Sequence, residues 1–423
     1  MNILRDLRRH PCFNAHAKGS HGRVHLPVAV DCNIRCNYCD RKYDCVNESR
    51  PGVTSTVLSP MQASRYMEKI LEYEPRIAVA GIAGPGDPFA NPEETIETLR
   101  LVKEKFPHLL LCLSTNGLLI ADYLDEVTEI GVSHATITVN AVDPQIGQKI
   151  YSWVRDGKRI YRGLKAAELL LDRQIAAIEG LKTRGITVKV NTIIVPGIND
   201  SHVEEVAKTM ALLGVDIHNC MPMYPNRDTP FEEIEEPSKE MIDAVREKAG
   251  RYLPQMLHCT RCRADDAGLL GENGNGRIRE LMAQCTGPSS EPDERPYVAV
   301  ATMEGVLVNQ HLGEAYRLQI WAKSDESFHC VGERMTPEPG GGIARWMQLA
   351  EILKDCRALL VAGIGDNPSR VLSRAGIKTV EISGFIEAAL AAVYSGLDLS
   401  EFKSKRKGCC SGNLGCPSSG EGC

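Results

Sequence analysis

From residue 23 to about 225 the chain alternates short apolar runs with longer segments in which apolar residues recur every three or four positions. RVHLPVAV, RIAVAGIAG, LLLCLSTNG, HATITVNA, TVKVNTIIV and DIHNCMPMY read as strands. SPMQASRYMEKILEYE, NPEETIETLRLVKEKF, IADYLDEVTEIG and SHVEEVAKTMALLG read as amphipathic helices between them. Asn91 before Pro92 with Glu94, and Ser201 with Glu204, carry helix-entry chemistry. Strand then helix, repeated six times, predicts an α/β fold built on a parallel sheet of βα units. In such folds chemistry sits at the C-terminal ends of the strands, and the unusual motifs fall there. The first strand runs to Cys32, the second into GPGDP, the third into STNG and the fifth into PGIND.

Alternation within the strands carries further information. In HATITVNAV it puts His134, Thr136, Thr138 and Asn140 on one face and Ala135, Ile137 and Val139 on the other. A polar face on a central strand must meet something polar, either a ligand or nearby backbone. Cys112 alternates in register with Ser114 and Asn116; taken alone it reads as a small buried hydrophobe.

Beyond 227 the pattern changes. Residues 227–290 are rich in charge, Gly and Pro and hold one short motif, HCTRC; TGPSSEPDERP reads as a linker. A second α/β unit follows, with YVAVATMEG, YRLQIWAK, RALLVAGIG and KTVEISG as strands and RWMQLAEILKDC as a helix. The expected organisation is an N-terminal segment 1–22 that covers the site, a main domain 23–285, a linker 286–295, a second domain 296–398 and a Cys-rich tail 399–423.

With 423 residues the chain is long enough for two or three cores, so its 16 cysteines are not substitutes for a core. A net charge of -6 gives no electrostatic reason to expect a nucleic acid partner. The N-terminus lacks the apolar stretch of a signal peptide and no run is apolar enough to span a membrane, so a cytoplasmic location is expected, with thiols kept reduced. The cysteines are therefore candidate metal ligands. They are densest in DCNIRCNYCDRKYDC, with Cys32, Cys36 and Cys39 spaced C-x3-C-x2-C and Cys45 six residues on. Three thiolates leave one iron of a four-iron cluster without a protein ligand, and they fit a structural zinc site poorly because it wants four.

C-x3-C-x2-C at a strand end resembles the motif of the radical S-adenosylmethionine (SAM) enzymes, which implies a partial (βα)6 barrel. The resemblance implies that Cys32, Cys36 and Cys39 hold a [4Fe–4S] cluster whose open iron chelates SAM, cleaved on electron transfer to a 5′-deoxyadenosyl radical. It further implies that Tyr38 lies against the adenine and that Gly84 and Gly86 of GPGDP approach the SAM amino group. Thr136, Thr138, Val188 and Val190 are assigned to the cofactor pocket on the same ground.

HPCFNAHAKGSHGRVHLPVAVDCNIRCNYCDRKYDCVNESRPGV, AGIAGPGDPFANPEETIETL, STNGL, PGIND and HCTRCRADDAGLLGE together are similar to the NifB family of nitrogenase iron–molybdenum cofactor biosynthesis proteins, over about residues 10–285. Residues 296–396, with GERMTPEPGGG, resemble the small NifX-like (ribonuclease H-like) cofactor-carrier domain. The family resemblance implies two further [4Fe–4S] clusters, three in all. The two are fused, with an added sulfide, into an eight-iron core around a carbide taken from the SAM methyl group.

On this resemblance Cys12, Cys45, Cys112, Cys259 and Cys262 are the further ligands, with one histidine among His10, His16, His21 and His25, here assigned as His16. Glu48 and Arg50 are assigned to proton handling or SAM contact. Implied partners are iron–sulfur cluster donors, a NifEN-type scaffold, carrier proteins and an electron donor such as ferredoxin. His311, His329 and Cys330 are candidate contacts for the finished core, and Cys409, Cys410, Cys416 and Cys423 for passing iron or clusters. Cys220, Cys285 and Cys356 read as ordinary thiols. Two other readings remain open: a peptide-modifying radical SAM enzyme with auxiliary clusters, and a non-catalytic cluster carrier.

Overall fold

The six apolar runs all become strands of one sheet in the computed structural model of the chain, which describes residues 7–49, 52–259, 261–271, 276–286, 295–324, 327–340 and 342–395. The chain divides into two units, Met1–Thr286 and Gly287–Cys423. Strands of the first unit are β1 (Gly22–His25), β2 (Ile34–Cys36), β3 (Ile77–Ile82), β4 (Leu110–Thr115), β5 (Val132–Thr138), β6 (Tyr151–Asp156), β7 (Arg159–Tyr161), β8 (Thr187–Ile194), β9 (Ile217–Pro222) and β10 (Ala267–Gly268). The main sheet runs β10-β1-β3-β4-β5-β8-β9, parallel throughout except for the short antiparallel edge strand β10. This is a partial barrel, as the sequence predicts, with β9 left as an edge strand.

Its convex side is closed by α1 (Pro60–Tyr73), α2 (Pro92–Lys105), α3 (Leu124–Ile130), α5 (Gly163–Thr183) and α6 (Val203–Leu212); α4 (Pro144–Ile150) packs on α5. The outward residues of the sheet, among them Leu111, Ile137, Val188 and Val190, join Ile96, Leu99, Ile178 and Leu181 of the helices in one core. Each fully buried Leu, Ile or Val there contributes about 1.5–3 kcal/mol.

Helix entry differs from expectation at two places. Asn91 makes no side-chain cap to α2; its amide instead donates to the Asp31 and Asp87 carbonyls at 3.0 and 2.9 Å and accepts from the Asp31 amide at 3.0 Å. It ties the start of the cysteine loop to GPGDP. Helix α6 begins after His202, not Ser201, because His202 takes the N-cap position and its Nε2 accepts the Val142 amide at 3.1 Å. The true capping box, Ser59 with Gln62 at α1, was not among the expected ones.

A second, antiparallel sheet, β2-β6-β7, holds the cysteine loop in place. Cys36 is on β2, the Arg155 amide donates to Asn33 O and the Asn37 amide to Ile150 O, both at 2.8 Å.

The second unit has its own mixed sheet, β14-β13-β11-β15-β16, made of β11 (Tyr297–Val300), β13 (Arg317–Ser324), β14 (Ser327–Met335), β15 (Cys356–Val361) and β16 (Lys378–Glu381), and a separate antiparallel pair, β12 (Leu307–Val308) with β17 (Gly384–Phe385). Helices Ile343–Ile352, Asp366–Arg374 and Ile386–Ser395 accompany it. Among the described residues no helix is long and apolar enough to cross a membrane. The expected linker 286–295 and the tail 399–423, with Cys409, Cys410, Cys416 and Cys423, lie almost wholly or wholly outside the described residues.

Candidate functional site: two cavities lined by thiols

Period-two alternation turns one side chain in two of each main-sheet strand to the concave face. Arg23 and His25 of β1, Cys112 and Ser114 of β4, Thr136 and Thr138 of β5, Lys189 and Asn191 of β8 and Asn219 of β9 all border cavities there.

The smaller cavity, about 420 Å³, is bordered by Cys32, Cys36, Cys39 and Cys45, with Arg41, Gly86, Asp87, Asn116 and Thr138. Backbone pairing builds it. The Gly86 amide donates to Ala29 O at 2.5 Å, the Asp87 amide to Asp31 O at 2.8 Å and the Cys45 amide to Pro85 O at 2.9 Å. Arg41 donates to Pro85 O at 3.1 Å and Val30 O at 2.5 Å. A Cβ at Gly86 would lie 2.0 Å from Asp31 O, so only glycine lets GPGDP come this close to the residue before Cys32. The expected result for Gly86→Ala is a melting temperature lower by roughly 5–10 °C and loss of the iron held by the first three cysteines, read by calorimetry and iron analysis.

The Asp87 carboxylate accepts from Thr115 Oγ1, the Asn116 amide and the Phe89 amide at 2.7–3.0 Å. Burial pushes its pKa up against these bonds. So fully engaged, it clamps GPGDP to STNG. Tyr38 is wholly buried; its hydroxyl donates to Asn47 Oδ1 at 2.6 Å and accepts from Asn140 Nδ2 at 2.7 Å.

The larger cavity, about 650 Å³, is bordered by Cys12, Cys112, Cys259 and Cys262 together with His10, His25, Arg23, Lys189 and Asn219. The N-terminal segment reaches it because His10, Phe13 and His134 meet in tilted and edge-to-face contacts, with ring centroids 4.5–4.6 Å apart. The His258 ring also bonds Pro11 O at 2.9 Å, which joins HPC to HCTRC. Arg23 donates to Cys262 Sγ and Gly268 O, each at 2.7 Å. The His25 ring meets Arg263 O through Nδ1 at 2.9 Å; the carbonyl can only accept, so Nδ1 carries the proton and Nε2 keeps its lone pair. Among the described residues buried His10 Nε2 has no hydrogen-bond partner.

Glu48 and Ser114 border both cavities. The Glu48 carboxylate accepts from Thr138 Oγ1 at 3.1 Å and Asn191 Nδ2 at 3.0 Å, and burial raises its pKa. Ser114 Oγ is buried on the same wall as the Glu48 carboxylate.

Among the described residues no three His, Cys, Asp or Glu side chains close to the distance of a single metal ion. The thiols border spaces instead, and soft sulfur donors around a space fit an iron–sulfur cluster better than a point ion. Burial pushes the Cys32 and Cys112 thiols from 9.0 up to about 12 and Cys12 up to about 11. It also holds His25, His134 and His218 near 4 against an ordinary 6.5. The unfolded chain thus releases thiol protons above about pH 9 that the fold retains, and takes up imidazole protons below about pH 6.5 that the fold refuses. Thermal melts of the iron-free chain are expected to show stability falling as pH rises from 9 toward 12 and as it drops from 6.5 toward 4. Bound iron reverses the alkaline arm, since its ligands are thiolates.

Not every expected residue is brought to this face. Val188 and Val190 are fully buried in the core behind the sheet, and their neighbours Lys189 and Asn191 face the cavities. His16 is exposed in the 3-10 turn Ala15–Ala17 and borders neither cavity; His10 and His25 do. His21, whose ring bonds Ser20, is likewise outside both linings. Gly84 borders neither cavity, although its neighbour Gly86 does. Arg50 lies outside the described residues. Cys220, Cys285 and Cys356 are buried in packing. In the second unit His311 accepts the Gly313 amide at 3.0 Å, while His329 and Cys330 sit exposed on β14. Sequence reasoning missed Arg23, Arg41, Asp87, Lys189, Asn191 and Asn219; for Lys189 and Asn191 the alternation in TVKVNTIIV was a sufficient signal.

The sequence profile of the Radical SAM superfamily matches residues 26–210, and that of the Dinitrogenase iron-molybdenum cofactor family matches residues 294–396. The FeMo cofactor biosynthesis protein NifB of Chlorobaculum tepidum is 52% identical over 422 residues, covering 99% of each chain. That of Klebsiella pneumoniae is 40% identical over 403 residues, covering 87% of this chain and 86% of its own. With a thiol-lined partial barrel followed by a separate mixed α/β unit, and with that identity along its length, the chain belongs to the NifB family of radical SAM proteins.

Proposed function

We propose that this chain builds the eight-iron precursor of the FeMo cofactor, taking two [4Fe–4S] clusters as substrate and fusing them with an added sulfide around a carbide derived from SAM. The observation that carries this reading is the pair of cavities, one bordered by C-x3-C-x2-C and the other by four further thiols, with Glu48 and Ser114 on both walls. A catalytic cavity alone would suit any radical SAM reaction. A second, thiol-walled cavity beside it suits a substrate that is itself an iron–sulfur cluster.

A [4Fe–4S] cluster held by Cys32, Cys36 and Cys39 supplies, when bound, the electron that cleaves SAM. The chain's own residues do the placing. Gly86 and Asp87 hold the loop edge, while Ser114 and Thr138 offer hydroxyls toward the SAM side. Cys12, Cys112, Cys259 and Cys262, with His10 or His25, hold the two substrate clusters, and Cys45 borders the same cavity as the first three thiols. One of these two histidines takes the role first assigned to His16. Glu48 receives protons lost as the transferred methyl carbon becomes carbide. Such placement is worth about 7–11 kcal/mol of barrier in effective-molarity terms. Cluster donors and a reductant such as ferredoxin would supply the chain in the cytoplasm, and the second unit would hold the product for a NifEN-type scaffold.

The test is anaerobic turnover with SAM labelled in the methyl carbon. Label in the acid-extracted iron–sulfur product supports the reading. Label released only as methylated small molecules, or retained wholly in SAM, contradicts it.

A further inference from the structure

Lys189 is a buried cation with no partner at contact distance; the Glu48 carboxylate on the wall of the same cavity, with the thiols there, favours the ammonium form. It is 7% exposed, points from β8 into the larger cavity, and has the Phe13 ring at 5.2 Å from its ammonium. Among the described residues no hydrogen bond or ion pair at contact distance ends on it; Lys182, in the last turn of α5, has Asp216 at 2.6 Å and is far more open to water. The cavity's other buried cation, Arg23, is engaged by Gly268 O, Cys262 and Asp266. A buried ammonium that donates no hydrogen bond is costly, and a single carboxylate beyond contact distance leaves its N–H groups free for an anion that enters the cavity. The thiols on the same wall say what that is: a thiolate-bound iron–sulfur cluster is an anion whose sulfides accept N–H hydrogen bonds.

We propose that Lys189 is a positioning residue that seats the iron–sulfur substrate in the larger cavity, supplying its counter-charge and a hydrogen bond to a cluster sulfur. The cavity thereby discriminates by charge, favouring assembled anionic clusters over free iron cations, which the ammonium repels. This rests on the proposed function, since it requires clusters to occupy that cavity.

The test compares wild type with Lys189→Met, which keeps the chain length without the charge, and Lys189→Arg, which keeps the charge. In the iron-free state Lys189→Met is expected to melt cooperatively and close to wild type, because the desolvation of the ammonium and its attraction to Glu48 oppose each other; this shows that the variant folds. After anaerobic reconstitution it should release the irons beyond the first four to a chelator about tenfold faster or more, as for loss of a hydrogen bond to a charged group. The midpoint potential of those clusters, read by EPR-monitored titration, should move negative, with Lys189→Arg close to wild type. Unchanged release and unchanged potential in Lys189→Met overturn the inference and leave the proposed function standing. A wild type that takes up only about four irons overturns the function and the inference with it.

Discussion

Replacing Cys32, Cys36 and Cys39 together by alanine is expected to abolish SAM cleavage and remove about four irons per chain, with the remaining irons retained. The three thiols border the smaller cavity with Gly86 and Asp87, and Cys12, Cys112, Cys259 and Cys262 border only the larger one. The two sets are carried by different elements. The first three lie on the loop held by β2 and GPGDP; the others come from the N-terminal segment, β4 and the HCTRC loop. Losing one set therefore leaves the scaffold of the other in place. Chromatographic assay of 5′-deoxyadenosine under dithionite checks the first half, and iron analysis the second. Residual cleavage above the background of free SAM would show that the reducing cluster is held elsewhere.

Glu48→Gln carries the second large effect. The carboxylate is the acidic group on the wall common to both cavities, held by Thr138 and Asn191. Glutamine keeps its shape and can still accept from Thr138, but it cannot take a proton. Loss of a positioned general base typically costs 10²–10⁴-fold. Labelled carbon in the extracted product should fall by about that factor. Iron content and 5′-deoxyadenosine formation should stay near wild type, because the cysteines are untouched. Equal loss of iron and product would reassign Glu48 to holding the site together.

The sheet was legible because each of its strands is apolar on the side that meets the helices, so period-two alternation and run length mark it. The same alternation gave Cys112, Thr136 and Thr138 their common face. It also contradicts the assignment of Val188 and Val190, which came from resemblance; strand register puts Lys189 and Asn191 inward instead. Strand β14 was not legible because nearly every residue in SFHCVGERM is exposed on this edge strand, which leaves no apolar alternation to read. His16 against His10 and His25 could not be decided from sequence. The outcome depends on how the two 3-10 turns of residues 7–17 seat His10 and Phe13 on His134, a contact spanning more than a hundred residues. Asn91 looked like a cap because capping and cross-linking use the same side chain, and only tertiary structure brings Asp31 to it.

The central claim is that clusters are substrate as well as cofactor. Iron and acid-labile sulfide content, with EPR, of the anaerobically reconstituted chain and of its Cys259→Ala/Cys262→Ala double variant tests it most directly. The account predicts about twelve irons in wild type and about eight in the double variant, which still cleaves SAM. About four irons in both, with SAM cleavage intact, would contradict it and leave a radical SAM enzyme whose substrate is not a cluster.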